Sequence, residues 1–162
     1  MADGDREALA ELYDRHAAAL FNHAVALARS PSDAEDLVQG VFVKVAGMGA
    51  RLLGIRSAGA YMHAMLRTGF LDGERHRGVA AEEPLETLEV AAVAGIAEAD
   101  RLVLEAALGR LPVEQREVIV LHVVQVMTFR EIAAMAQTSL WTAASRFRLG
   151  MDRLRDILGT QR

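Results

Sequence analysis

The chain has 162 residues, is 52% hydrophobic and carries a formal net charge of −4, which fits a globular protein with a buried core and excludes a disordered one. Zero Cys excludes a disulfide framework, a thiolate metal site and a cysteine nucleophile. No run of 18 apolar residues occurs, so no membrane insertion is expected, and the acidic start MADGDREALAELY lacks the segments of a signal peptide, so a cytoplasmic location is expected. Three Pro, 5% aromatics and abundant Ala, Leu, Glu and Arg favour an all-α chain.

The first helix is expected from about Asp5 to Ala28, where Leu9, Leu12, Tyr13, Leu20, Phe21, Ala24 and Leu27 recur at helical steps. SPSDAEDLVQGVFVKVAG opens the second. Its start is either Ser30 as N-cap with Pro31 in the first turn, or Ser32 with Glu35 as a capping box. Gly47, Gly49, Gly54 and Gly59 interrupt GMGARLLGIRSAG, which reads as a loop with one helical turn. A third helix is expected from near Ser57 through AYMHAMLRTGFLDGERHR. Gly69 and Gly73 each cost it roughly 1 kcal/mol relative to Ala, so packing must supply its stability.

Residues 78–100 contain no basic residue and six acidic ones, with Pro84 near the centre, although EVAAVAGIAEA within them is a candidate helix. Residues 1–77 hold 9 Lys and Arg against 10 Asp and Glu, and residues 101–162 hold 9 against 6. The fold class expected is therefore all-α: two small helical domains, 1–77 and 101–162, joined by an acidic linker, 78–100. The basic balance of the last part suits a DNA-facing module.

Beyond the linker a helix is expected to end near Arg110, and a second to run from about Pro112 to Gln125, with Pro112 in its first turn. TFREIAAMAQTSLWTAASRFRLG then reads as two helices around a tight turn. Thr128 and Glu131 form a capping box, Met127 can staple against Ile132, and small Ala133 and Ala134 permit close approach of a neighbour. Ser139 caps the second helix after the Gln137-Thr138 turn. Ala143, Phe147, Met151 (or Gly150), Leu154 and Leu158 share its core-facing side. That leaves Trp141, Thr142, Ser145, Arg146 and Arg148 outside. This is the pattern of a helix-turn-helix, whose second helix enters the major groove N-terminus first. Thr142 and Ser145 can bond phosphates or base edges, and the arginines can take phosphates or guanine. The other reading is a solvated helix with ordinary arginines.

LPVEQREVIVLHVVQVMTFREIAAMAQTSLWTAASRFRLGMDRLRDIL resembles the fourth domain of bacterial sigma factors of the sigma-70 family, extracytoplasmic-function group. The resemblance rests on Leu111-Pro112, Gln115-Arg116, Leu121, Thr128, Glu131-Ile132-Ala133, Ser139, Thr142, Ser145-Arg146, Gly150 and Leu154-Arg155. The N-terminal half resembles the second sigma domain, through Leu12-Tyr13 with His16, DAEDLVQGVF and AYMHAMLRTGFLDGERHR. The resemblance implies a transcription initiation factor that binds core RNA polymerase and reads promoter DNA at its −35 element through the helix-turn-helix. It further implies polymerase docking by Asp33, Glu35, Asp36, Gln39 and Phe42, and an anti-sigma protein as a further partner. Capture of the −10 element needs cationic and aromatic groups around unstacked bases; Arg51, Arg56, Tyr61, His63, Arg67, Arg75 and Arg77 are the supply. The chain departs from the family pattern at Gly40 (usually Glu), Ala46 (a Trp nearby), Thr68 (Asn), Gln137-Thr138 (Gly and an aliphatic residue) and Trp141 (something smaller or more polar). An alternative reading is a degenerate sigma-like protein or helix-turn-helix regulator that binds DNA or a partner without initiating transcription. No catalytic residue, metal or cofactor is expected: there is no Gly-rich phosphate loop and no H-E-x-x-H motif. His16 and His23 read as packing or surface residues.

Overall fold

A computed structural model describes residues 3–28, 30–78 and 96–160. Among the described residues the structure is helical, without strands. Helix α1 (Asp3–Leu27) is followed by α2 (Pro31–Met48), a 3₁₀ turn (Gly49–Gly54) and α3 (Ala58–Arg77). Helix α4 (Glu98–Gly109) leads to α5 (Val113–Ile119), a π turn (Val120–Val124), α6 (Phe129–Met135) and α7 (Leu140–Gly159). Of the two possible starts for α2, Ser30 is the one used: its Oγ accepts from the Asp33 N–H at 3.1 Å, and Pro31 opens the first turn, where its missing N–H costs nothing. Ser57 caps α3 in the same way through the Ala60 N–H.

The glycine-rich stretch holds the helical turn expected of it, as the 3₁₀ turn Gly49–Gly54. Three expectations shift. Pro112 is extended (ψ 143°) and precedes α5 as its N-cap rather than entering its first turn. The helix expected to reach Gln125 changes to π geometry at Val120, where the Gln125 side chain donates to the Ala19 carbonyl at 3.1 Å and the Met127 N–H to the Leu121 carbonyl. EVAAVAGIAEA lies largely outside the described residues, but Glu98 and Ala99 at its end already belong to α4, inside the expected linker.

The core is shared between the two halves. The C-terminal end of α1 is buried all round, with α2 and α3 packed on it from one half and α5 and the π turn from the other. Leu20, Ala24, Leu27, Val38, Val41, Val45, Met62 and Leu66 join Ala107, Leu108, Leu111, Ile119 and Leu154 in one apolar cluster. Helix α2 with its following turn, Pro31–Gly54, is long and apolar enough to cross a membrane by composition. Its Ala34, Val38, Val41 and Val45 stripe is instead spent on this core. A second cluster, Val118, Leu121, Ile132, Ala133, Met135 and Ala143, sits under the helix-turn-helix.

Candidate nucleic-acid interface

The turn between α6 and α7 is built by local chemistry. The Thr128 N–H and hydroxyl both donate to Glu131 Oε2, at 2.7 and 2.9 Å, while Thr128 Oγ1 accepts from the Glu131 N–H. The complete box satisfies two helix-end donors and holds the exposed Glu131 carboxyl below the usual carboxylate range, chiefly through the Thr128 backbone bond. Gln137 turns the chain at φ +52°, a left-handed conformation that glycine adopts without cost. Ser139 then caps α7 through the Thr142 N–H at 3.0 Å and donates its hydroxyl to Thr142 Oγ1 at 2.8 Å.

Ala143, Gly150 and Leu154 face inward on α7, with Phe147, Met151 and Leu158 packed beside them. Gly150 is required by the approach of α5. A Cβ there would lie 2.8 Å from Ile119 Cδ1 and 3.1 Å from Gln115 Cβ. His122 stacks on Phe129 with centroids 4.2 Å apart and meets Phe147 edge-on at 4.9 Å, which ties the helix-turn-helix to the π turn. Met127 packs against the cluster that contains Ile132, and Ala133 is buried, while Ala134 faces solvent.

The outward side of α7 carries Trp141, 76% exposed, and exposed Arg148, flanked by half-buried Thr142, Ser145 and Arg146. Neither Arg146 nor Arg148 has a carboxylate partner among the described residues. The surface is therefore a run of hydroxyls, an indole and two uncommitted guanidiniums beside a helix N-terminus. Each of these groups favours a phosphate or a base edge.

In the N-terminal half the expected residues separate into two faces. Arg51, Arg56 and Tyr61 are exposed, as are Arg75 and Arg77, which pair with Asp72 and Glu74 one turn back. His63 and Arg67 point the other way, and His63 is buried. His63 Nδ1 lies 2.9 Å from His23 Nδ1, and Arg67 Nε donates to both oxygens of Glu117 at 3.1 and 3.3 Å. The reason is a buried carboxylate supplied by the other half. Glu117 is 2% exposed on α5 and also accepts from His23 Nε2 at 2.8 Å. Burial works against its charge, but the His23 hydrogen bond and Arg67 outweigh that and hold it below the usual carboxylate range. Beside it Arg116 donates to the Ala26 carbonyl at 2.6 Å and to the Leu111 carbonyl at 3.1 Å.

Of the acidic set, Glu35, Asp36 and Gln39 line the solvent side of α2, opposite its core stripe; Asp33 is half-buried in the first turn. Phe42 is partly covered, its ring 4.9 Å from that of Tyr13. Sequence reasoning passed over Glu117, used Arg116 only for the resemblance, and read His23 as a packing or surface residue. The available signal was a pair of charges, Arg116-Glu117, running directly into the apolar stretch from Val118 to Leu121, since buried charges require partners. Among the described residues no group of three or more His, Asp or Glu is placed to hold a metal ion.

Residues 12–78 match the family model for sigma-70 region 2 and residues 101–154 the model for sigma-70 region 4. The RNA polymerase sigma factor CarQ of Myxococcus xanthus is 31% identical over 170 residues, covering 97% of this chain and 92% of that protein. The ECF RNA polymerase sigma factor SigE of Mycolicibacterium smegmatis is 32% identical over 177 residues, covering 97% of this chain and 65% of that protein. Among solved structures, the sigma factor RpoE from Bartonella quintana, crystallised with the anti-sigma factor NepR, shares the fold with a TM-score of 0.74. It covers 99% of this chain and 100% of that one, at 23% identity.

Proposed function

The chain belongs to the sigma-70 family of RNA polymerase sigma factors, in its extracytoplasmic-function group, and from that premise we propose how its surfaces divide the reading of a promoter. It is a promoter-recognising transcription initiation factor whose partners are core RNA polymerase and promoter DNA. The family is one of transcription factors, not of enzymes.

The −35 element is read by the N-terminal half of α7. Arg146 and Arg148 contact phosphates or guanine edges, Thr142 and Ser145 bond the backbone or base edges, and Trp141 covers a thymine methyl or a sugar. The observation that carries this is the pair of uncommitted guanidiniums on a capped, exposed helix start. The −10 element is captured by the outer side of α3 and its approach, through Arg51, Arg56, Tyr61, Arg75 and Arg77, joined by His63 and Arg67 once α3 parts from α5. Glu35, Asp36 and Gln39, with Asp33 and Phe42 beside them, offer an acidic, hydrogen-bonding edge to an arginine-rich helix of core polymerase. An anti-sigma protein that covers Trp141 between rounds is a further partner, and the chain acts in the cytoplasm.

Run-off transcription with core RNA polymerase on promoter templates tests the assignment at a stated ionic strength, because phosphate contacts weaken with salt. Core binding with a defined start site is expected. DNA binding by the free protein without core binding sinks the reading in favour of a repressor-like regulator. Core binding without initiation marks a degenerate relative.

A further inference from the structure

Leu53, in the 3₁₀ turn between α2 and α3, is 90% exposed, the most exposed large apolar side chain among the described residues. The turn holds it there. Gly49, at φ +52°, takes the left-handed conformation that ends α2 and starts the turn. The Ile55 N–H then donates to the Leu52 carbonyl at 3.1 Å and closes it. With three residues per turn, Leu52 and Ile55 lie on one side, where both are half-buried and Leu52 packs against the core. Leu53 is left on the other side.

A single exposed leucine is ordinary on a protein surface, but the setting of this one is not. Between Asp36 and Asp72 the chain carries Lys44, Arg51, Arg56 and Arg67 and no acid, although its net charge is −4. Arg51 and Arg56 flank Leu53 in the chain, exposed and without a carboxylate partner among the described residues. Tyr61, 39% exposed, follows in the first turn of α3.

We propose that Leu53 is a wedge that enters the base stack of the promoter at the edge of the −10 element and starts its opening, a role that rests on the −10 reading given above. An apolar side chain pushed between base steps unstacks them and kinks the duplex. Cations on both sides of it hold the backbone phosphates in register while it does so. Arg51 and Arg56 supply those cations, and the base that leaves the stack has the Tyr61 ring to lie against. A protein partner would be met by a contiguous apolar patch. The exposed neighbours of Leu53 in the chain are instead Arg51, Gly54 and Arg56, which match a polyanion.

Single-round run-off transcription by the full chain with core RNA polymerase tests this on two templates: a fully duplex promoter, and the same promoter with its −10 segment mismatched and so already open. Because Leu53 is exposed, Leu53→Ser is expected to keep the fold and core binding. It should lower the yield from the duplex by about tenfold or more and leave the mismatched template near the wild-type level. Leu53→Met, which keeps an apolar side chain of similar size, should initiate from both. A wild-type yield from the duplex with Leu53→Ser, or an equal loss on both templates, overturns the wedge. Replacing Arg51 and Arg56 together with Ala is expected to lower both templates alike. A full yield from that double variant overturns the −10 reading of this turn and the wedge with it. Its loss beside an unimpaired Leu53→Ser overturns the wedge alone.

Discussion

Helices α3 and α7 are each 20 residues long, each capped by a serine and each supplied with arginines, yet they use their cations in opposite ways. On α7 the buried residues Ala143, Gly150 and Leu154 form one narrow stripe, so Trp141, Arg146 and Arg148 are left toward solvent, the two arginines without a carboxylate partner among the described residues. Helix α3 is packed from two directions, by α1 and α2 on its apolar side and by α6 and the Glu117 carboxylate across from them. Arg67 and His63 are drawn into that second contact. What a cation does in this molecule is decided by which face of the helix it occupies and by whether a carboxylate from elsewhere meets it. Residue type alone does not decide it. The free chain therefore presents an open face on α7, where −35 reading is proposed, and a half-covered one on α3, where −10 capture is proposed.

The largest way to break this contrast is Glu117→Ala. It strands Arg67 and the two histidines without their carboxylate, and removing one partner of a buried pair costs about 3–5 kcal/mol. Urea unfolding of the full chain measures the loss; a change under about 1 kcal/mol would show that the cluster does not hold the halves together. Next in size is Arg146→Ala. It is expected to lower −35-dependent run-off transcription by about tenfold or more, the equivalent of roughly 1–3 kcal/mol, with core binding and unfolding midpoint unchanged. Arg67→Ala should differ by lowering stability as well as initiation. If both variants behaved alike, the distinction between the committed and the uncommitted arginine would fall.

The sequence reads this contrast on one side only. Ser30, Ser57, Ser139 and the Thr128–Glu131 box act within one helical turn of themselves, so the starts of α2, α3, α6 and α7 and the outward side of α7 follow from local spacing. The fate of His63 and Arg67 does not. It is fixed by Glu117 and His23, which lie 50 residues from Arg67 and 40 from His63, and no periodicity of α3 encodes them. The π turn is hidden for a related reason. REVIVLHVV reads as an uninterrupted helix, and the change of register goes with the anchoring of Gln125 on Ala19, 106 residues away. The expected separation into two domains captured the order of the parts but not their shared core, which forms only when Ala107, Leu111 and Ile119 meet α1.

Where the inward-facing region joins the helix-turn-helix, Val126 sits at φ +56°, an unfavourable conformation for a β-branched residue. Its side chain is 81% exposed, so little packing is lost if it is removed. Val126→Gly is expected to raise stability by about 1 kcal/mol, the left-handed penalty less the chain entropy that glycine adds. A destabilised variant in urea unfolding would mean that the valine side chain, not the backbone, shapes this join.

The smallest effect is expected at Gly40, on the α2 side that neither reading helix covers. A Cβ there meets nothing within 4 Å, so Gly40→Glu fits without rearrangement. Within a helix it gains roughly 0.5–0.8 kcal/mol of propensity over glycine. It also stands four residues before Lys44, a favourable acid-to-base order, and four after Asp36, an unfavourable like pair, and these nearly cancel. Stability should therefore rise by about 0.5–0.8 kcal/mol, while −35 reading is untouched. If the acidic edge of Glu35, Asp36 and Gln39 is the polymerase-facing surface, the added carboxylate should also tighten core binding. The reason is the one that separates α3 from α7: a charge left on an open face is available to a partner. An unchanged affinity for core, with the stability gain present, would move the docking surface off this side of α2.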